Sequence, residues 1–164
     1  MRAPEELLQE VIREAAALGI PVSRRISRKV AVSTRMTSTL GSCRKTPFGG
    51  FEIRIAARVL AAGEDAVKQV LCHEVLHTCR GCQNHGALWK RYAVMMEQAY
   101  GYRIRRTVDP QDIGVTAPEP KYILQCQRCG NLYKRQRECS LTRRPWAYRC
   151  RCGGALKLIK RPAG

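Results

Sequence analysis

His73, Glu74, Val75, Leu76 and His77 spell H-E-x-x-H inside a segment of helical periodicity, and no other feature restricts the fold of this chain as tightly. Four residues apart on a helix, two imidazoles leave one face about a turn apart, close enough to share a metal ion. Glu74 stands beside them, where a carboxylate can take a proton from a water held by that metal. A catalytic zinc of this kind needs a third protein ligand and one open position. His85 is the candidate third ligand: all three histidines of the chain lie within residues 73 to 85, and Gly81 lets the chain leave the helix and return. Zinc there would make its water more acidic and polarise a scissile carbonyl, with Glu74 as general base.

The rest of the first two thirds supplies a scaffold for that helix. Pro4 at a helix start, apolar Leu7, Leu8, Val11, Ile12 and Ala15, and Gly19 beyond the last turn predict an amphipathic helix over about 4–18. Val30, Val32, Thr34 and Met36 alternate with polar residues and run on through Thr37 to Leu40. Gly41, Pro47, Gly49 and Gly50 then act as breakers, and Phe51, Ile53 and Ile55 alternate again. The spacing predicts strands joined by a turn or hairpin. A helix is predicted over about 64–79 and another over about 86–100, whose stripe of Leu88, Trp89, Tyr92, Met95, Met96 and Ala99 reads as core. Helices and strands in this arrangement make an α+β domain.

Residues 107–120, with three prolines and no regular period, read as a linker between a unit at 1–106 and a smaller one at 121–160. The chain of 164 residues has room for one domain and a small appendage. Cys126 and Cys129 form a C-x-x-C pair and Cys150 and Cys152 a C-x-C pair, separated as in structural zinc sites. In an extended chain residues i and i+2 point to one side, so the second pair can still reach the same ion, with Cys139 as reserve ligand. A unit this small and poor in large aliphatics requires such a metal to fold. Two zinc ions are therefore expected, one catalytic and one structural. Cys79 and Cys82, with Cys72 and His85 nearby, form a competing metal or redox candidate, and Cys43 reads as core.

Thirty Lys and Arg against thirteen Asp and Glu leave a net charge of +17, with +5 on residues 1–70, +2 on 71–115 and +10 on 116–164. Such a field attracts polyanions. Lys134, Arg135, Arg137, Arg143, Arg144, Arg149 and Arg151 are interleaved with Tyr133, Trp146 and Tyr148, a pattern suited to neutralising phosphates and stacking bases of single-stranded DNA. For Trp146 taken alone the favoured reading is packing within the cysteine unit, and the nucleic-acid reading belongs to the arginines as a group. No segment reaches the roughly 18 apolar residues of a membrane span, and the acidic start does not resemble a signal peptide, so a cytoplasmic protein without membrane contact is expected.

Taken together, TSTLGSCRKTPFGGFEIRIAARVL, VLCHEVLH, NHGALWKRYAVMMEQAYGY, YILQCQRCGNLYKRQR and YRCRCGGALKLI, in that order, resemble the SprT-like metalloprotease family. The resemblance implies a zincin-like catalytic domain followed by a zinc ribbon, with His73, His77 and His85 as zinc ligands and Glu74 as base. It also implies endopeptidase action on DNA-bound proteins, as in crosslink repair by the eukaryotic relative Spartan. Two other readings stay open: a nucleic-acid-binding protein with an inert zinc, and a zinc endoribonuclease of the kind that matures rRNA. The latter family's pattern resembles H-G-x-x-H-x5-H, from which Glu74 and the seven-residue gap depart. Tyr92, Tyr100 and Tyr102 are the candidates for stabilising an oxyanion.

Overall fold

Pro4 opens α1 (Pro4–Ala17) because it lacks the N–H that a first helical turn cannot use, and Glu5 and Glu6 place negative charge at the positive end of the helix. Leu7, Leu8, Val11 and Ala15 recur on one face and are fully buried. The computed structural model describes residues 1–107, 109–116 and 118–162. They form two compact units, Met1–Ala117 and Pro118–Gly164.

In the first unit, β1 (Ile26–Ser33), β2 (Gly41–Lys45) and β3 (Phe51–Ala56) make a sheet in the order β1-β3-β2. β3 runs parallel to β1 and antiparallel to β2, with Val30 beside Ile53 and Cys43 on its other side. The strand expected to continue to Leu40 ends at Ser33, and Gly41, expected to break a strand, begins one. The reason is topological. β3 separates β1 from β2, so residues 34–40 must step across two strand spacings, roughly 10 Å, and cannot stay in the sheet. Arg58, on the short helix α2 (Ala57–Ala61) that the periodicity did not reveal, donates from Nη2 to the carbonyls of Thr37 and Thr39 at 3.2 and 3.3 Å and holds that crossing.

α3 (Glu64–Leu76) ends three residues earlier than expected, and α4 (Ala87–Tyr100) buries Trp89, Ala93 and Met96. Of the stripe read as core, Trp89 and Met96 are buried and Tyr92 and Met95 pack against the core, whereas Leu88 and Ala99 are exposed. The first unit extends past 106: Pro110–Ile113 forms a 3-10 turn, Val115 is 1% exposed, and Ile113 packs on the core. Much of the segment expected to be linker is therefore wall. Its prolines and its capped turn at Asp109 suit a fixed irregular strap as well as a linker, and composition cannot separate the two.

The second unit is a sheet in the order β5-β4-β6, built from β4 (Tyr122–Cys126), β5 (Leu132–Arg135) and β6 (Leu156–Lys160), all antiparallel neighbours. The four-residue α5 (Ser140–Arg143) lies in the connection from β5 to β6. Its core is Cys126, Cys150 and Leu156, with Tyr133, Leu141 and Cys152 packed around them. No helix among the described residues is long and apolar enough to cross a membrane.

Candidate metal centres

Because His73 and His77 occupy one face at the end of α3, their Nε2 atoms lie 3.3 Å apart. After Gly81, at φ +80°, the chain turns back and brings His85 Nε2 to 2.9 Å from His73 Nε2. Nitrogens around a tetrahedral zinc at bonds of about 2.05 Å sit about 3.3 Å from one another, so the three histidines fit such an ion. His77 Nδ1 is 2.7 Å from the carbonyl oxygen of Cys82, which fixes the proton on Nδ1 and leaves Nε2 free to coordinate. Burial, then the neighbouring His77 and His85, push His73 down to about 4, so at neutral pH it is the uncharged ligand form. The indole of Trp89 lies beneath the cluster, its ring 4.8, 5.7 and 4.6 Å from those of His73, His77 and His85.

Glu74 is 6% exposed, and burial raises its carboxyl to about 7, against a smaller opposing effect of the Cys43 backbone N–H. The carboxylate fits between α3 and β2 only because residue 41 is glycine. A Cβ there would lie 2.6 Å from Glu74 Oε1 and 2.7 Å from Val70 Cγ1. Gly41→Ala is accordingly expected to cost about 1–3 kcal/mol of stability by overpacking and to displace Glu74. Paired thermal melts and activity assays check this; a variant matching the parent in both would show that β2 can yield.

The histidines and Glu74 open into a cleft of about 1120 Å³. One side is the edge strand β2 with Leu40; the other is Arg103, Ile104, Arg106 and the 109–113 turn. Spacing did not identify this second wall, since nothing regular marks residues 103–113. The three tyrosines considered for an oxyanion do not line the cleft: Tyr102 is buried with its hydroxyl on Glu14, and Tyr92 and Tyr100 belong to α4 outside it. The cations at the cleft are Lys45, Arg103 and Arg106. Burial, His77 and then the Arg106 guanidinium hold His85 below the usual imidazole range.

In the second unit the four expected thiols converge, with Cys126 Sγ 3.5 Å from Cys152 Sγ and Cys129 Sγ 3.6 Å from Cys150 Sγ. Sulfurs around a zinc at about 2.3 Å would be about 3.8 Å apart, so the C-x-C pair serves as well as a second C-x-x-C. The Tyr133 hydroxyl donates to Cys150 Sγ at 3.1 Å and helps pull that thiol down to about 6, toward the coordinating thiolate. Cys139 is not needed as a ligand: it is the N-cap of α5, its backbone N–H on Thr142 Oγ1 at 2.9 Å. Cys72, Cys79 and Cys82 are fully buried in the first unit's core, and His85 joins the histidines instead of them. Cys43 is half-buried and lines the cleft beside Glu74.

Gly154 holds the sulfur cluster together by its lack of a side chain. A Cβ would meet Cys126 Sγ at 2.6 Å and Arg128 Cβ at 2.7 Å. Gly154→Ala is expected to weaken metal binding by the cysteines about 10- to 100-fold, the range found when support of a ligand is disturbed. Competition with a chromophoric chelator measures it, and an unchanged affinity would mean that the turn can shift without cost.

Lys134, Arg135, Arg137, Arg143, Arg144, Arg149 and Arg151 are all exposed. Trp146 is 69% exposed, against the packing reading, because the unit's small core is already filled by the cysteines, Leu156 and Tyr133. Arg149 donates from Nη1 to the carbonyls of Trp146 and Tyr148 at 2.9 and 3.1 Å and steadies that loop. Tyr133, by contrast, is tied to the sulfur cluster.

Residues 8–109, which hold the histidine cluster, its carboxylate and most of the cleft, match the SprT-like family. A curated relative named "Protein SprT-like" from Lactiplantibacillus plantarum is 40% identical over 95 residues, covering 57% of each chain. The chain thus spans little more than half of that relative's length. With the family match taking in the helix and the return loop that form the three-histidine group, the chain belongs to the SprT-like family.

Proposed function

We propose that this chain is a zinc-dependent endopeptidase of zincin-like fold that cuts proteins held on DNA, with zinc at both the histidine and the cysteine groups. The observation that carries it is the meeting of three histidine Nε2 atoms and one buried carboxylate in an open cleft beside an edge strand. Bound zinc would supply Lewis acidity, polarising the scissile carbonyl and favouring loss of a proton from water. Glu74, with its carboxyl held near 7, takes that proton and passes it to the departing amine. The outer edge of β2, apart from the Cys43 N–H that faces Glu74, offers backbone N–H and C=O groups to an extended substrate backbone. Trp89 keeps the histidine rings in place, and the backbone carbonyl of Cys82 keeps His77 in its coordinating tautomer. The exposed arginines and Trp146 of the second unit hold the nucleic acid, with single strands favoured because an exposed indole can stack on an unpaired base. On this reading the enzyme works in the cytoplasm on proteins bound to DNA, including those crosslinked to it.

The test is incubation of the zinc-loaded chain with a basic DNA-binding protein, with and without single-stranded DNA. Parallel samples are stripped by chelator and then restored with zinc. Zinc-dependent cleavage that DNA accelerates is the expected outcome. DNA binding without cleavage would replace this reading with a non-catalytic zinc protein, and cleavage of RNA with protein untouched would replace it with an endoribonuclease.

A further inference from the structure

The first unit carries its positive excess in one place. Residues 21–56 contain eight Lys and Arg and a single carboxylate, Glu52, whereas the remainder of Met1–Ala117 has ten of each sign. None of those eight cations makes an ion pair among the described residues, although Arg2, Lys68 and Arg105 of the same unit do. The register sets Arg54 of the central strand beside Ser42 on β2 and Ala31 on β1, and all three are exposed. Arg44, Lys45, Arg54, Ser42 and Ala31 border a depression of about 500 Å³ on this sheet together with one carboxylate, Glu52, the register partner of Arg44, so the cations there outnumber the acid three to one. At the tip of the β2–β3 hairpin Phe48 is 86% exposed, the most exposed aromatic among those left open. Arg25 lies alongside it: its carbonyl accepts the Phe51 N–H at 2.8 Å, and its guanidinium is 3.2 Å from where a Gly49 Cβ would stand.

We infer that the open face of the β1-β3-β2 sheet and its hairpin tip form a second nucleic-acid contact, in which Arg44 and Arg54 seat phosphates of a single strand and Phe48 stacks on a base. Guanidinium groups without an ion pair, in excess over the single Glu52 carboxylate around the depression, match phosphate, and an exposed ring near Arg25 matches a base whose two faces are free. An anionic membrane would also meet the charge, but one aromatic at a hairpin tip offers it little apolar area. The inference rests on the nucleic-acid part of the proposed function and adds a site on the catalytic unit itself.

Fluorescence anisotropy with a labelled 20-nucleotide oligothymidylate, measured on the full zinc-loaded chain over a series of salt concentrations, tests it. The doubly substituted Arg44→Gln, Arg54→Gln chain should bind more weakly and lose about 1.4 from the slope of log affinity against log salt, about 0.7 per phosphate contact. The Arg44→Lys, Arg54→Lys chain should keep the slope. Phe48→Ala should bind about tenfold more weakly with the slope unchanged, as stacking requires. Parent-like affinity and slope in all three, with Arg143→Gln, Arg144→Gln weakened, would overturn this inference and leave the proposed function standing. No binding by the parent chain would overturn both. Loss of binding to phosphatidylglycerol vesicles in the sheet variants, with oligonucleotide binding intact, would reassign the face to lipid.

Discussion

Glu74→Gln is expected to lower peptide-bond cleavage by about two to four orders of magnitude while the metal content stays unchanged. The amide keeps the size of the carboxylate, so the close packing against Gly41 is preserved. It cannot accept a proton at neutral pH, so only the base is removed. The three imidazoles, all set against the Trp89 ring and with His77 also held by the Cys82 carbonyl, are untouched. Cleavage of a basic protein substrate and metal content by atomic absorption, measured on one preparation, decide it. If the variant retains a tenth or more of the activity, another group moves the proton and the role given to Glu74 fails. If the metal is lost as well, the carboxylate supports the site and is not a base alone.

Stripping the metal from the cysteines should unfold the second unit while the first remains folded. The second unit buries Leu124, Cys126, Cys150 and Leu156 and little else that is apolar, too small a core to offset the entropy of ordering its chain. A structural zinc contributes apparent binding energy on the order of 10–16 kcal/mol, and without it the balance reverses. The first unit has a continuous core running from α1 through the sheet to α3 and α4 and does not depend on the cysteines. In a two-dimensional amide spectrum of the labelled chain, excess chelator should collapse the resonances of residues 118–162 to random-coil positions and leave those of the first unit dispersed. Dispersed resonances throughout would mean that the sulfur cluster packs without metal. Acid should have the same effect as chelator, since each thiolate must be protonated as the metal leaves.

Helical periodicity was sufficient for α1, α3 and α4, because each buries one stripe and a 3.6-residue repeat survives in the sequence. The strands were harder. β2 begins at a glycine and carries Ser42, Arg44 and Lys45, a pattern that reads as a loop until β3 is placed beside it. α2 has five residues, too few for a repeat to register. The strap that closes the cleft at 109–113 has the prolines of a linker and differs from one only in that Ile113 and Val115 find a core to pack on.

The candidate metal-binding groups, by contrast, were legible because ligand spacing is a local property: i and i+4 on a helix, and two residues apart around a tight turn, set the donor atoms within reach of one ion whatever the rest of the chain does. His85 was found by scarcity as much as by spacing, since the chain has no other histidine to offer. What spacing could not supply was everything that depends on two distant segments meeting. That Gly41 must be bare for Glu74 to lie where it does, that residues 103–107 and 109–113 and not the tyrosines wall the cleft, and that Trp146 stands in solvent follow from which surfaces are already covered. Which donors can share an ion is settled by a few covalent bonds and one helical turn. Burial and close approach depend on the packing of the whole unit, and only the folded chain decides them.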